Sequence, residues 1–125
     1  KGMIKDTIHT TVLDTTYMDG LEAIKDRDYK KAITLLKNYN DYNTALAYCA
    51  MDYNASALSI LEKLKANNES DKIEYLLAII YSRIGKDEES VQHYLNSCKL
   101  NPSFIHRGNL DPEIFALIRR YNLKF

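Results

Sequence analysis

Apolar side chains recur at steps of three and four residues along most of the chain, which is the period of an amphipathic α-helix. One predicted face near the middle of the chain carries Ile73, Leu76, Leu77, Ile80 and Ile84. A second such face near the C-terminus carries Ile114, Leu117, Ile118 and Tyr121. The pattern predicts an all-α fold. Residues 1–13 lack this period and are predicted to be a linker or a strand-like lead-in.

Capping and turn-forming residues divide the periodic region into separate helices. Asp14 or Thr15 is suited to cap the first helix, and Ser70 or Asp71 the fifth. Gly85 is suited to end the fifth helix in the left-handed conformation. The predicted helices cover approximately residues 14–26, 28–37, 42–51, 54–66, 71–84, 87–100 and 112–121.

The start of the last helix and the segment before it have their own signals. Asp111 is suited to cap that helix, with Pro112 at its first position. Residues 103–110 are predicted to be a loop, in which Gly108 supplies a positive backbone angle.

A spaced motif occurs in residues 71–104. It consists of Glu74-x2-Leu77-Ala78-x2-Tyr81, then Gly85, Ser90-x3-Tyr94 and Pro102. The tetratricopeptide pattern is W-x2-L-G-x2-Y, then A-x3-F, then P, in a unit of about 34 residues. The chain therefore resembles the tetratricopeptide-repeat superfamily. Glu74 in place of Trp and Ser90 in place of Ala are departures from the pattern.

Two weaker units precede this motif. The first contains Gly20, Tyr29-x2-Ala32 and Leu36, and the second contains Ala45, Tyr48 and Ala57-x3-Leu61. The resemblance covers about residues 13–121, and the predicted domain spans residues 14–125. It implies a right-handed α-α solenoid of three helix pairs, closed by the last helix as a C-terminal cap.

A second resemblance concerns three short stretches, which look like C-terminal helical segments of Bacteroidetes cell-envelope proteins. These stretches are Asp26–Tyr29, Tyr42–Ala45 and Arg107–Glu113. This resemblance implies an exported part of a larger envelope protein, in the periplasm or at the outer membrane. Without it the expected compartment is the cytoplasm. Because the chain starts at Lys1, we expect it to be a fragment of a longer protein.

Charge and cysteine content narrow the function classes. The 125 residues include 17 basic and 17 acidic side chains, so no net charge favours binding to nucleic acid or acidic lipid. No apolar run reaches the ~18 residues of a membrane span, so we expect no direct membrane insertion. Cys49 and Cys98 are predicted to be reduced and mostly buried.

The repeat resemblance implies a concave groove lined by the first helix of each pair. In this superfamily the fifth, ninth, twelfth and thirteenth positions of those helices face the groove. The corresponding residues are Tyr17, Leu21, Ile24, Lys25, Tyr42, Leu46, Cys49, Ala50, Tyr75, Ile79, Ser82 and Arg83. Tyrosine recurs at the fifth position, where it is suited to binding. Ordinary helix packing of Tyr17, Tyr42 and Tyr75 remains an open alternative, while Tyr48, Tyr81 and Tyr94 are assigned to the core.

The ninth positions indicate what this groove binds. Leu21, Leu46 and Ile79 occupy them, where one groove type of the superfamily has Lys and Asn residues that hold a terminal carboxylate. The groove is therefore predicted to be apolar and to bind a hydrophobic or aromatic segment. Lys25 and Arg83 are predicted to meet a carboxylate or a backbone carbonyl of that segment.

The predicted loop of residues 103–110 is a second candidate site. His106, Arg107 and Asn109 cluster around Gly108. Arg107 is suited to bind an anion at the N-terminus of the last helix. The alternative is that Arg107 satisfies the carbonyls that end the sixth helix.

Signals for catalysis, metals and cofactors are weak. Glu89 and His93 lie one helical turn apart, but two ligands do not make a zinc site, and a surface pair is the simpler interpretation. Cys49 has no nearby His or Asn in the sequence. No phosphate-binding or metalloprotease motif is present. We therefore expect no enzymatic activity, no cofactor and no metal.

The sequence leaves three function classes. The leading prediction is a non-catalytic module that binds a protein or peptide of unknown identity in the tyrosine-lined groove. The alternative is a structural domain that docks against the rest of a longer cell-envelope protein, with its groove filled by its own chain. The third is a small enzyme or anion-binding domain that uses residues 103–110.

Overall fold

The computed structural model describes residues 14–125, and this range is all-α. It contains eight helices and no β-strand. The helices are α1 Thr15–Lys25, α2 Tyr29–Leu36, α3 Tyr42–Ala50, α4 Asn54–Asn67, α5 Asp71–Arg83, α6 Asp87–Leu100, α7 Ser103–Leu110 and α8 Pro112–Tyr121. The predicted all-α class is confirmed. The predicted linker, residues 1–13, lies outside the described residues.

The predicted helix boundaries agree closely with the structure, because local capping sets them. Asp14 caps α1, Ser70 caps α5 and Asp111 caps α8, each by accepting a hydrogen bond from a backbone amide of the first turn. Pro112 occupies the first turn of α8 as predicted. Gly85, just beyond α5, has the predicted left-handed conformation with φ 83°.

The predicted loop of residues 103–110 was wrong, since these residues form helix α7. The predicted positive backbone angle of Gly108 was wrong as well, because Gly108 lies within the helix. Gly108 permits a close approach instead: a Cβ atom there would lie 2.0 Å from the Tyr94 hydroxyl oxygen. That hydroxyl donates a hydrogen bond of 3.0 Å to the carbonyl of Phe104. Contact with α6 therefore supports a helix that local propensity did not indicate.

Consecutive helices pack against each other, and α5 lies at the centre. Contacts join α1 with α2, α3 with α4, α5 with α6, and α7 with α8. Helix α5 also contacts α3, α4 and α8. Residues 73–80 of α5 are all buried. The main hydrophobic cluster surrounds them, and a smaller cluster joins α1 and α2 with Ala47 of α3.

Small side chains lie where paired helices approach most closely. A Cβ atom on Gly20 of α1 would lie 2.4 Å from the Leu36 side chain of α2. Ser90 of α6 is fully buried against α5, where its hydroxyl donates a 2.6 Å hydrogen bond to the carbonyl of Ala78. Serine therefore fits where the repeat pattern has alanine, because it is small and its hydroxyl has an acceptor.

A buried polar cluster joins α5 with α6. Glu74 is only 5% exposed, and its Oε1 lies 3.0 Å from Nδ1 of His93 and accepts a 3.0 Å hydrogen bond from Asn96 Nδ2. The His93 ring stacks on the Tyr81 ring at 5.3 Å between centroids. The predicted surface pair of Glu89 with His93 was therefore wrong. His93 is buried, and its partner comes from the neighbouring helix.

The residues assigned to the core have different exposures. Tyr94 is fully buried, whereas Tyr48 and Tyr81 are partly buried and pack against the main cluster. Cys49 and Cys98 are buried free thiols, as predicted.

Candidate functional site

A cleft of about 350 Å³ opens between α3, α5 and α7. This volume is at the lower end of the range for ligand sites, roughly 300–1,000 Å³. Each of these three helices contributes side chains to its lining. The lining residues are Tyr42, Leu46, Cys49, Ala50, Lys72, Tyr75, Leu76, Ile79, Phe104 and Arg107.

A second depression of about 350 Å³ adjoins this cleft. The two share Tyr42 and Lys72 in their walls, and the second extends along the start of α5 and the end of α4. Its other lining residues are Leu64, Asn67, Asn68, Ser70 and Ile73. We call the cleft and this depression together the groove.

Six of the groove residues that the repeat resemblance implies lie in this lining. Among the predicted groove residues, the cleft contains Tyr42, Leu46, Cys49, Ala50, Tyr75 and Ile79. Lys72, Leu76 and Phe104 were missed. Leu76 belongs to the apolar stripe that indicated only a core position, while Phe104 lies in the segment predicted to be a loop. No sequence signal places Lys72 beside the groove.

Tyr75 contributes to the cleft wall and is also a packing residue. It is 3% exposed, its hydroxyl donates a 2.7 Å hydrogen bond to Asp111 Oδ2, and its ring stacks on Phe104 at 4.8 Å. Burial, together with that hydrogen bond, raises the pKa of Tyr75. Tyr75 therefore links α5 to the cap of α8 and provides an aromatic surface to the cleft.

Arg107 reaches the same cleft from α7. Its guanidinium carbon lies 5.0 Å from the centre of the Tyr75 ring and 5.4 Å from that of Phe104. These are cation–π distances. Among residues 14–125, Arg107 forms no ion pair. The two candidate sites that the sequence suggested separately, the groove and the segment 103–110, thus meet at Arg107.

Tyr42 and Cys49 show how burial and charge combine in the cleft. Burial raises the pKa of Tyr42, and the positive charge of Arg107 partly opposes this rise. Burial also raises the pKa of the Cys49 thiol, and the nearby positive charge of Arg83 partly opposes this rise. A raised pKa keeps the thiol protonated at neutral pH, which is unfavourable for a nucleophile.

The donors of Arg83 are used within the domain. Its Nε and Nη2 donate to the two carboxylate oxygens of Glu113 at 2.8 and 2.9 Å. Its Nη1 donates to the carbonyl of Cys49 at 2.7 Å and to Asn54 Oδ1 at 3.2 Å. Arg83 was predicted to contact a bound segment, but here it joins α5 with α8, the end of α3 and the start of α4.

The remaining predicted site residues do not line the cleft. The Tyr17 hydroxyl donates to the Asp41 carboxylate and accepts a 3.0 Å hydrogen bond from Asn43 Nδ2. Leu21 is partly buried on α1 and Lys25 is exposed at its end. On α7, His106 and Asn109 are exposed. The structure therefore concentrates the predicted site residues around α3 and α5.

Two further observations concern residues 14–125. They contain no group of three or more His, Cys, Asp or Glu side chains arranged to hold a metal ion. None of their helices is both long enough and apolar enough to cross a bilayer.

Comparisons of the chain with protein-family models, with curated proteins and with solved structures give no match.

Proposed function

We propose that this chain is a non-catalytic binding module that holds a segment of a partner protein in the groove. We further propose that its helix pairs stack as a right-handed tetratricopeptide-like solenoid, with α7 and α8 closing its C-terminal end. In that arrangement the first helices of successive pairs line the concave surface, and the groove lies on that surface.

The helix contacts support the proposed stacking. Each of the first six helices pairs with its neighbour, and the contact between α3 and α5 brings together the first helices of two successive pairs. Residues at the fifth and ninth positions of these two helices, Tyr42, Leu46, Tyr75 and Ile79, line one cleft. A shared apolar surface along successive first helices is the expected binding surface of a stacked repeat.

The composition of the cleft is the observation that carries the proposed binding function. Its lining is largely apolar and includes Leu46, Leu76 and Ile79, while Lys72 and Arg107 supply cations. An apolar pocket with a few polar groups at its edge is the usual form of a site for an anchoring side chain. The adjoining depression lengthens the site, which suits a segment of chain better than a compact small molecule.

The competing function is a structural one, in which the groove is filled by another part of a longer cell-envelope protein. Residues 1–13, outside the described range, are among the segments that this alternative would place there. The two functions differ in whether a separate protein enters the groove.

Filling the cleft should remove binding without disturbing the core. Ala50 is exposed at the end of α3 and lines the cleft, so Ala50→Tyr adds an uncharged side chain within it. We expect the amount of partner protein captured from native lysate to fall at least about tenfold, the loss typical of a blocked anchor site. Quantitative mass spectrometry of the captured protein measures this.

Ala116→Tyr is the matched control. Ala116 is exposed on α8 and does not line the cleft, so this variant should capture the partner as the natural chain does. Melting temperatures and circular dichroism establish that both variants are folded. Equal capture by the two variants would contradict binding in the cleft, and absence of any captured protein would favour the structural function.

A further inference from the structure

We propose that the groove binds a segment in which an acidic side chain lies close to an apolar or aromatic anchor. The anchor fills the cleft between Leu46 and Ile79, and the acidic side chain is held by Arg107 and Lys72. This inference rests on the proposed binding function and specifies the chemistry of the partner.

The Arg107 side chain is held in a position that suits binding of a carboxylate. Its guanidinium is held against the Tyr75 and Phe104 rings, so less side-chain entropy is lost when it binds. A guanidinium stacked on aromatic rings keeps N–H donors at its edge, in the fork that matches a carboxylate. Two other arginines already have such partners, since Arg83 pairs with Glu113 and Arg120 with Asp87.

Lys72 adds a second cation where the cleft meets the adjoining depression. It is exposed, and within residues 14–125 its ammonium group forms no ion pair. Two carboxylates of the same region already accept hydrogen bonds. Asp71 accepts from Asn101 Nδ2 at 2.9 Å, and Asp111 accepts from Tyr75 and from the amide of Glu113. These bonds leave both carboxylates negatively charged, but neither residue lines the groove, whose charged lining side chains are Lys72 and Arg107.

The shape of the groove favours an acidic side chain over a chain-terminal carboxylate. Lys72 belongs to the lining of both depressions, and the lining of the second also includes Leu64 and Ile73. In this proposal a bound segment passes Lys72 as it runs from one depression to the other. The acid that meets Lys72 and Arg107 is then carried by an Asp or Glu within the segment.

Charge also favours a separate partner over the chain's own N-terminal residues. Residues 1–13 contain Lys1, Lys5 and a single acidic residue, Asp6. Their net charge has the same sign as that of Lys72 and Arg107, so it does not complement the groove.

Three matched peptide pools test the proposal. Each pool has an acetylated N-terminus, an amidated C-terminus and a fixed central Phe, flanked on both sides by Glu in the first pool, Gln in the second and Lys in the third. Fluorescence anisotropy with the chain of residues 1–125 measures binding. We expect the Glu pool to bind at least about tenfold more tightly than the other two, from charge-assisted hydrogen bonds.

Arg107→Gln should reduce binding of the Glu pool about tenfold and leave binding of the Gln pool unchanged. Arg119→Gln is the control, because Arg119 is also an exposed arginine stacked on an aromatic ring, with its guanidinium carbon 5.8 Å from the Phe115 centroid. It removes the same charge on α8 and should leave binding of all pools unchanged. Retained preference for Glu in the Arg107 variant would overturn the proposal.

The other outcomes separate this inference from the proposed function. Equal binding of the three pools would overturn the acidic preference and leave the binding function intact. Failure of every pool to bind would overturn the acidic inference and count against the binding function as well. A further Gln pool carries a free C-terminal carboxylate. If it binds as tightly as the Glu pool, the groove recognises a chain-terminal carboxylate, and the proposed recognition of an Asp or Glu side chain is wrong.

Discussion

At the residue scale, Glu74 shows how a polar side chain is accommodated in the most buried helix. It occupies the position where the repeat pattern has tryptophan, yet it is only 5% exposed. Burying a carboxylate costs stability unless it accepts hydrogen bonds, and Glu74 has two partners on α6, His93 and Asn96. The pairing of α5 with α6 therefore includes a specific polar contact that an apolar residue would not supply.

Removing this carboxylate should be strongly destabilising. Glu74→Ala removes the hydrogen-bond partner of Nδ1 of His93, which is buried, and of the Asn96 amide, which is half-buried. A buried group left without its partner costs about 1–3 kcal/mol. We expect the free energy of unfolding to fall by roughly 3 kcal/mol in urea denaturation. Glu89→Ala is the control, since Glu89 is exposed one turn from His93. A comparable fall in the free energy of unfolding in both variants would show that the contacts of Glu74 stabilise the domain no more than an exposed glutamate does.

At the element scale, α7 depends on how closely it approaches α6. Gly108 faces the Tyr94 side chain, where even a methyl group would lie 2.0 Å from the hydroxyl oxygen and 2.6 Å from the ring carbon that bears it. Tyr94 is fully buried, so it has little room to move. The position of α7, and with it that of Phe104 and Arg107 beside the cleft, follows from this contact.

Gly108→Ala should therefore destabilise the domain, although alanine favours helices. Overpacking of this kind costs about 1–3 kcal/mol, more than the gain in helix propensity of about 1 kcal/mol. Thermal unfolding followed by circular dichroism measures the change. Asn109→Ala, at an exposed position of the same helix, should stay within about 0.5 kcal/mol of the natural chain. An unchanged melting temperature for Gly108→Ala would mean that α7 can move away from Tyr94 without loss.

At the scale of the whole molecule, Arg83 links three consecutive helices, α3, α4 and α5, to the last helix, α8. It forms a two-point contact with Glu113 of α8 and also bonds to the carbonyl of Cys49 in α3 and to Asn54 of α4. The Glu113 contact raises the pKa of Arg83, so its charge is retained at any physiological pH. Arg83 therefore sets the position of the α3 end, where Ala50 borders the cleft.

A double-mutant cycle between Arg83 and Glu113 measures how much their contact contributes to the free energy of unfolding. We expect Arg83→Gln to lower the free energy of unfolding by about 2 kcal/mol, the scale of hydrogen bonds to charged groups. The coupling with Glu113→Gln should be about 0.5–3 kcal/mol, as for residues in direct contact. Urea unfolding of the two single variants and the double variant provides the values. Additive losses would show that the contact with Glu113 does not contribute to the stabilising effect of Arg83.

The sequence by itself determined seven of the eight helices of residues 14–125, together with their approximate ends. Their apolar period, their caps at Asp14, Ser70 and Asp111, and the left-handed Gly85 are local features, in which each helix depends on residues within a few positions. The resemblance to the tetratricopeptide repeat predicted a groove that includes Tyr42, Leu46, Tyr75 and Ile79, and the structure places these four residues in the lining of one cleft.

Only the tertiary structure decided the remainder, because it depends on contacts between different helices. Helix α7 packs against Tyr94, although its local sequence suggested a loop. Arg83, an apparent groove residue, is satisfied by Glu113, while Arg107 is brought to the cleft by the rings of Tyr75 and Phe104. Packing decides that Arg83 forms an ion pair within the domain while Arg107 borders the groove. No short-range pattern in the sequence encodes this difference.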